Sequence, residues 1–119
     1  FLDTGPYNAH TTASDALWAG LPVLTRIGKS FASRVAASLL NAVSLPQLAV
    51  SSDEEYIQAA VNLAFDHAGL SAIRSKLEDF RNEHPLFDTV SYVKGLEKAF
   101  VKMQTLSLAG HPATTFYVD

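Results

Sequence analysis

Cysteine is absent from the 119-residue sequence. Disulfides and thiolate zinc sites are therefore excluded, and the chain is compatible with an intracellular, cytoplasmic protein. An excess of basic charge is missing too: nine Lys and Arg stand against twelve Asp and Glu, a formal net charge of −3. Without a basic field, neither nucleic acid nor an anionic membrane surface is expected as a partner. No apolar run approaches the roughly 20 residues that a spanning helix needs, and no signal peptide opens the sequence. An Asn-x-Ser/Thr acceptor is lacking. The four histidines, His10, His67, His84 and His111, share no i, i+3 or i+4 spacing, so no metal site is expected from this chain. A Gly-x-Ser-x-Gly elbow is also missing. Gly28-Lys29-Ser30 is not a Walker loop, because Val23 stands where that motif needs its first glycine. No catalytic residue and no cofactor can be assigned. The single methionine is Met103, and the sequence opens on Phe1-Leu2-Asp3-Thr4. That opening reads as the tail of a strand, so the chain is expected to be a piece of a longer protein.

What is present reads as one α/β domain. The sequence is 48% hydrophobic and 18% charged, enough apolar material for a core. Phe1 to Thr4 is a short strand, and Gly5-Pro6-Tyr7-Asn8 has turn chemistry. Thr11 or Thr12 is a suitable N-cap for a helix to Trp18 or Ala19, ended by Gly20 and Pro22. Pro22 to Arg26 is a second strand. A helix follows the Gly28-Lys29-Ser30 loop, with an apolar stripe of Phe31, Val35, Leu39 and Val43 and with Ala32, Ala36 and Ala37 keeping part of it slim. Gln47 to Val50 is a candidate third strand.

Ser52-Asp53-Glu54-Glu55 is a capping box. The helix behind it carries Ile57, Ala60, Val61, Ala64 and Ala68 on one side and is expected to end at Gly69. Leu70, Ile73, Leu77 and Phe80 mark another helix, and Val93, Leu96, Phe100 and Met103 a last long one. These stripes are expected to be core rather than a partner groove. The whole reads as a partial Rossmann-like domain: a short parallel sheet of two or three strands with a C-terminal helical cap.

One stretch combines groups suited to an anion. His10-Thr11-Thr12 falls where a helix begins, and helix N-termini offer unpaired amides and a positive dipole end. Threonine hydroxyls add donors for phosphate. Asp15 lies one turn on, on the face of Thr11, where a carboxylate can accept from ribose hydroxyls. The same residues also read simply as an N-cap and a charge placed well against the helix dipole. Lys29 and Arg34 are further candidates to face a ligand, or a solvated lysine and a surface arginine.

Asn8-x-His10-Thr11-Thr12-x-x-Asp15-x-Leu17-Trp18-Ala19-Gly20-x-Pro22 resembles the C-terminal catalytic region of the O-linked N-acetylglucosamine transferase/SPINDLY family. Gly28 to Ser38, Glu55-Tyr56 with Ala59 and Ala60, Pro85-Leu86-Phe87-Asp88-Thr89, Tyr92 and Leu96-Glu97 resemble later segments in the same order. The resemblance implies a glycosyltransferase of two Rossmann domains (GT-B). Residues 1–105 would be the C-terminal part of its nucleotide-sugar-binding domain and 106–119 a tail. By resemblance, His10, Thr11 and Thr12 contact the diphosphate and Asp15 the ribose, without a metal.

The implied partners are a nucleotide sugar, UDP-GlcNAc first, a Ser or Thr of an acceptor protein, and the upstream domain and tetratricopeptide repeats of the same protein. A GDP-fucose-using enzyme, an Asn glucosyltransferase and a non-catalytic scaffold are the alternatives. Because the family's remaining machinery lies upstream, the 119 residues alone are expected to be inactive.

Overall fold

The computed structural model describes residues 1–79, 81 and 83–118. Phe80, expected to close one apolar stripe, lies outside the described residues, as does Asp119 at the end of the tail.

The sheet is short and parallel. β1 (Thr25–Arg26) pairs with β2 (Ala49–Val50) in the register Thr25 to Ala49 and Arg26 to Val50. On the other edge of β1, Leu2 forms a parallel bridge with Leu24. Leu24 N donates to Phe1 O at 2.9 Å and Asp3 N to Leu24 O at 3.0 Å. Three segments thus lie side by side, within the two or three strands read from the sequence.

α1 (Thr11–Trp18) follows the first segment and buries Ala13 and Leu17. It ends in a Schellman motif: Gly20 N donates to Leu17 O, Leu21 N to Ala16 O, and Gly20 has φ +77. That left-handed conformation is the reason for a glycine there. The N-terminal cap differs from expectation. The N-cap residue is His10, with no side-chain cap, and Thr11 and Thr12 are the first two helical residues. The helix starts earlier because Ala9 and Asn8 are already tied to Asp3 and Ala32 by their backbone amides.

The segment after the second loop also differs. Instead of one helix from Phe31, a 3-10 turn at Phe31–Ser33 precedes α2 (Val35–Ala42). The side chains and amides of Ser30 and Ser33 cap one another and hold the tight turn. Phe31 therefore points outward, 81% exposed, and the buried residues of α2 are Ala36, Ala37 and Leu40, with Val43 at its C-cap. Of the expected Phe31, Val35, Leu39, Val43 stripe, Val43 lies in the core and Leu39 packs against it, Val35 is half-buried, and Phe31 is exposed. The two alanines do lie in the core, as their small size suggested.

α3 (Asp53–Phe65) starts on Ser52, whose hydroxyl accepts from Glu55 N at 3.1 Å. The Glu55 carboxylate reaches back to Ser51 N at 2.8 Å, one residue before the expected partner. α3 stops at Phe65 rather than Gly69. Asp66 accepts from Gly69 N at 2.8 Å and caps α4 (His67–Asp79), so Gly69 belongs to the next helix. α4 contributes Leu77 to the core formed by Ala13, Leu17, Val23, Ala36, Leu40, Val43, Leu45 and Leu48. Trp18 sits between Phe87, edge-on at 4.9 Å, and Arg81, 5.2 Å above its ring.

α5 (Thr89–Leu108) is capped by Asp88, which accepts from Ser91 N; hydrogen bonds from the Ser91 hydroxyl and then its amide hold the Asp88 carboxyl below its usual range. Neither α3 nor α5 has a buried residue. Val93, Leu96, Phe100 and Met103, read from the sequence as core, are exposed, as are Ile57 and Val61. Their spacing marks a helical stripe correctly, but among the described residues no element buries it. α5 runs on through residues 106–108. Beyond it, Lys102 Nζ donates to Tyr117 O at 3.0 Å and lies over the Phe116 ring, which folds the tail back along the helix.

Candidate functional site

The site is organised from Asp3 upward. Asp3 is 7% exposed. Its Oδ1 accepts from Thr4 N at 2.8 Å and Ala9 N at 2.7 Å, and its Oδ2 from Thr25 Oγ1 at 2.6 Å. Its own carbonyl accepts from Tyr56 Oη at 2.7 Å. Burial and the negative charge of Asp3 push the Tyr56 phenol above its ordinary range. The buried Asn8 adds a second knot: its amide N donates to Ala32 O at 3.0 Å and its Nδ2 to Thr4 O at 3.1 Å. The chain from the sheet edge to α1 is thus held at both ends of a short turn.

From this turn α1 rises with no side-chain hydrogen bond capping its entry. Thr11, Thr12 and Asp15 are exposed, while Ala13 and Leu17 between them face the core. The site residues on α1 therefore share the face that the core leaves open. His10 is half-buried. Its ring stacks on Tyr7 at 4.8 Å, meets Phe31 edge-on at 6.1 Å, and sets Nε2 3.4 Å from Ala32 O. The structure thereby brings the 28–33 loop against the α1 entry. Lys29 is exposed on that loop. Arg34 is exposed and donates from Nη1 to Gly28 O at 3.3 Å, bracing the same loop.

Both loops leave the carboxyl ends of parallel segments, the place where open α/β sheets bind ligands. The loop depends on Gly28. A Cβ there would lie 2.6 Å from Ser33 Cβ and closer still to Ser33 Oγ. Asp3, Asn8, Tyr7 and Phe31 were not singled out as site residues by sequence reasoning. The one available signal was an acidic residue at the polar end of an apolar strand, directly before a turn. The ring contacts had none, since Tyr7 and His10 meet only because of the turn's path. Among the described residues, no group of three or more His, Cys, Asp or Glu is placed to hold a metal ion. Among them, too, no helix is long and apolar enough to cross a membrane.

The profile of glycosyl transferase family 41 matches residues 1–96. A relative from Arabidopsis thaliana, named probable UDP-N-acetylglucosamine–peptide N-acetylglucosaminyltransferase SEC, is 42% identical over 98% of this chain. A Caenorhabditis elegans UDP-N-acetylglucosamine–peptide N-acetylglucosaminyltransferase is 38% identical over 93% of it. The chain spans 12% and 10% of these two relatives' own lengths. A solved O-GlcNAc transferase variant from Thermobaculum terrenum superposes with a TM-score of 0.79 at 36% identity, covering 86% of this chain and 20% of that one. The α/β architecture, the ordered motifs and these matches together show that the chain belongs to glycosyl transferase family 41.

Proposed function

We propose that this chain contributes the diphosphate- and ribose-binding part of the nucleotide-sugar site of a protein O-GlcNAc transferase-like enzyme. The observation that carries the reading is the entry of α1: no side chain caps it, Thr11 and Thr12 are exposed at its first two positions, and Asp15 follows on the open face. Free amides at a helix start attract a diphosphate through hydrogen bonds and the local dipole. Thr11 and Thr12 add hydroxyl donors, and the His10 ring, held by Tyr7 and Phe31, stands beside them. In sugar transfer the nucleoside diphosphate departs with growing negative charge. Donors already in place stabilise that charge without reorganising, and so lower the barrier. Asp15, one helical turn further, takes the ribose hydroxyls as an acceptor. Lys29 and Arg34 flank the same surface and supply positive charge near the phosphates.

By the names of the relatives, the donor is UDP-GlcNAc and the acceptor a protein; a Ser or Thr hydroxyl is the group it offers. Residues 1–105 act as the C-terminal part of a Rossmann domain whose partner domain and repeats belong to the same cytoplasmic protein, with 106–119 as its tail. Relatives named SPINDLY match at 36–38% identity, and their names too give UDP-N-acetylglucosamine as the donor; a guanosine donor is kept as the second reading. Titration of the full-length protein with UDP and GDP tests both. The proposal expects UDP to bind and GDP to bind weakly; tighter GDP binding favours the second reading, and binding of neither refutes both.

A further inference from the structure

We propose that Asp3 is a positioning residue for the diphosphate grip, fixing the direction in which α1 presents Thr11 and Thr12. The inference rests on the reading of the α1 entry given above. Asp3 does not belong to that surface. It is buried beneath it, and its three side-chain partners are neutral donors from three different places: the following residue, the residue before His10, and β1. An ionised carboxylate has about four acceptor positions on two oxygens. It is the one small side chain able to hold all three donors at once.

The bond to Ala9 N, at 2.7 Å, places the last amide before the N-cap residue. The next amides are those of the helix entry. The bond from Thr25, at 2.6 Å, ties the same carboxylate to the central segment of the sheet. Residue 3 is also pinned through its backbone, to Leu24 and to Tyr56 of α3. The helix entry is therefore indexed to the sheet through one side chain. A carboxylate repels a diphosphate, so direct attraction cannot be its contribution. The effect must pass through geometry, and an uncharged isostere should preserve most of it.

Asp3→Asn keeps Oδ1 for Thr4 N and Ala9 N, and the Thr25 hydroxyl can turn to accept from the new amide. Asp3→Ala removes all three bonds. In the full-length protein, Asp3→Ala is expected to raise the donor KM and the UDP Kd by about tenfold, the order expected for lost charge-assisted bonds. The acceptor-peptide KM stays unchanged, and Asp3→Asn recovers most of the loss. A residue with a merely structural role would lower kcat through the folded fraction and leave the donor KM alone. That result, or a wild-type donor KM in Asp3→Ala, overturns the proposal.

If Asp3→Ala does not melt cooperatively, Thr25→Val replaces it, since it removes only the bond to Oδ2. A raised donor KM with an unchanged acceptor KM then supports the proposal, and an unchanged donor KM overturns it. Wild-type protein that binds neither UDP nor GDP instead refutes the reading of the site itself, and Asp3 with it. Loss confined to Asp3→Ala or Thr25→Val leaves that reading standing.

Discussion

Gly28→Ala converts one close approach into a measurable perturbation. The added Cβ would sit 2.6 Å from Ser33 Cβ and nearer still to Ser33 Oγ, so Ser33 must leave its position. Ser33 is 5% exposed, and its Oγ donates to Ser30 O at 3.0 Å and accepts from Ser30 N at 3.0 Å and from Ser30 Oγ at 2.9 Å. Each neutral hydrogen bond is worth about 1 kcal/mol net, so displacing Ser33 costs about 3 kcal/mol. In the larger domain to which the chain belongs, where 1 kcal/mol shifts the midpoint by about 2–4 °C, the melting temperature of that domain should fall by roughly 6–12 °C.

The effect reaches the site because Ala32 in the same loop accepts from Asn8 N and contacts His10 Nε2. Nucleoside diphosphate binding should therefore weaken with stability. Differential scanning fluorimetry of the full-length protein reads the first effect and calorimetric titration the second. Gly28→Ala combined with Ser33→Gly should melt no lower than Ser33→Gly alone, since the clash has then no partner. A melting temperature for Gly28→Ala within about 2 °C of wild type would refute the steric argument, as would a double variant that is additively worse.

Leu40→Ala, at a position with no solvent exposure, should cost about 2–5 kcal/mol, read as a lowered midpoint in denaturant. Tyr56→Phe should cost about 1 kcal/mol through the lost bond to Asp3 O, and it should change the alkaline limb of stability. The Tyr56 phenol is pushed up in the folded state, so the native protein holds its proton longer than the unfolded chain does. That contribution is complete below the ordinary phenol range near 10 and is lost as pH rises through the folded value. Stability therefore falls with pH in that window, and Tyr56→Phe should fall less steeply, as melting between neutral and strongly alkaline pH will show. The isolated 119 residues should show no turnover in a radiolabelled-sugar transfer assay.

The parts of the fold legible in the sequence were those with local causes. Gly20 must adopt a positive φ, and Ser52 and Glu55 lie at capping spacing, so the C-terminal end of α1 and the start of α3 could be read residue by residue. The short strands could be placed because apolar runs stop at turn residues. The misreadings arose where a distant contact decides. Phe31 continues a four-residue period, but the Ser30–Ser33 pair folds a 3-10 turn that swings it out. Gly69 resembles a helix stop, yet Asp66 caps the next helix first. The apolar faces of α3 and α5 show the right period, but periodicity says only that a face wants cover and never what supplies it.

For the site, His10, Thr11, Thr12 and Asp15 stood out by residue type and order. Asp3 did not, because its meaning depends on Thr25, 22 positions away in the chain. Thr11 as an N-cap was the natural guess from propensity. The structure instead spends His10 on that position and leaves both threonines exposed on the open face.

The measurement that bears most directly on the account is calorimetric titration of UDP into the full-length protein, wild type against the Thr12→Ala/Asp15→Ala pair. Loss of one hydroxyl donor to phosphate and one carboxylate acceptor for ribose should weaken binding at least tenfold, given about 1.5–3 kcal/mol for a bond to a charged group. Affinity equal to wild type in a variant that melts normally would contradict the claim that the α1 entry holds the nucleotide.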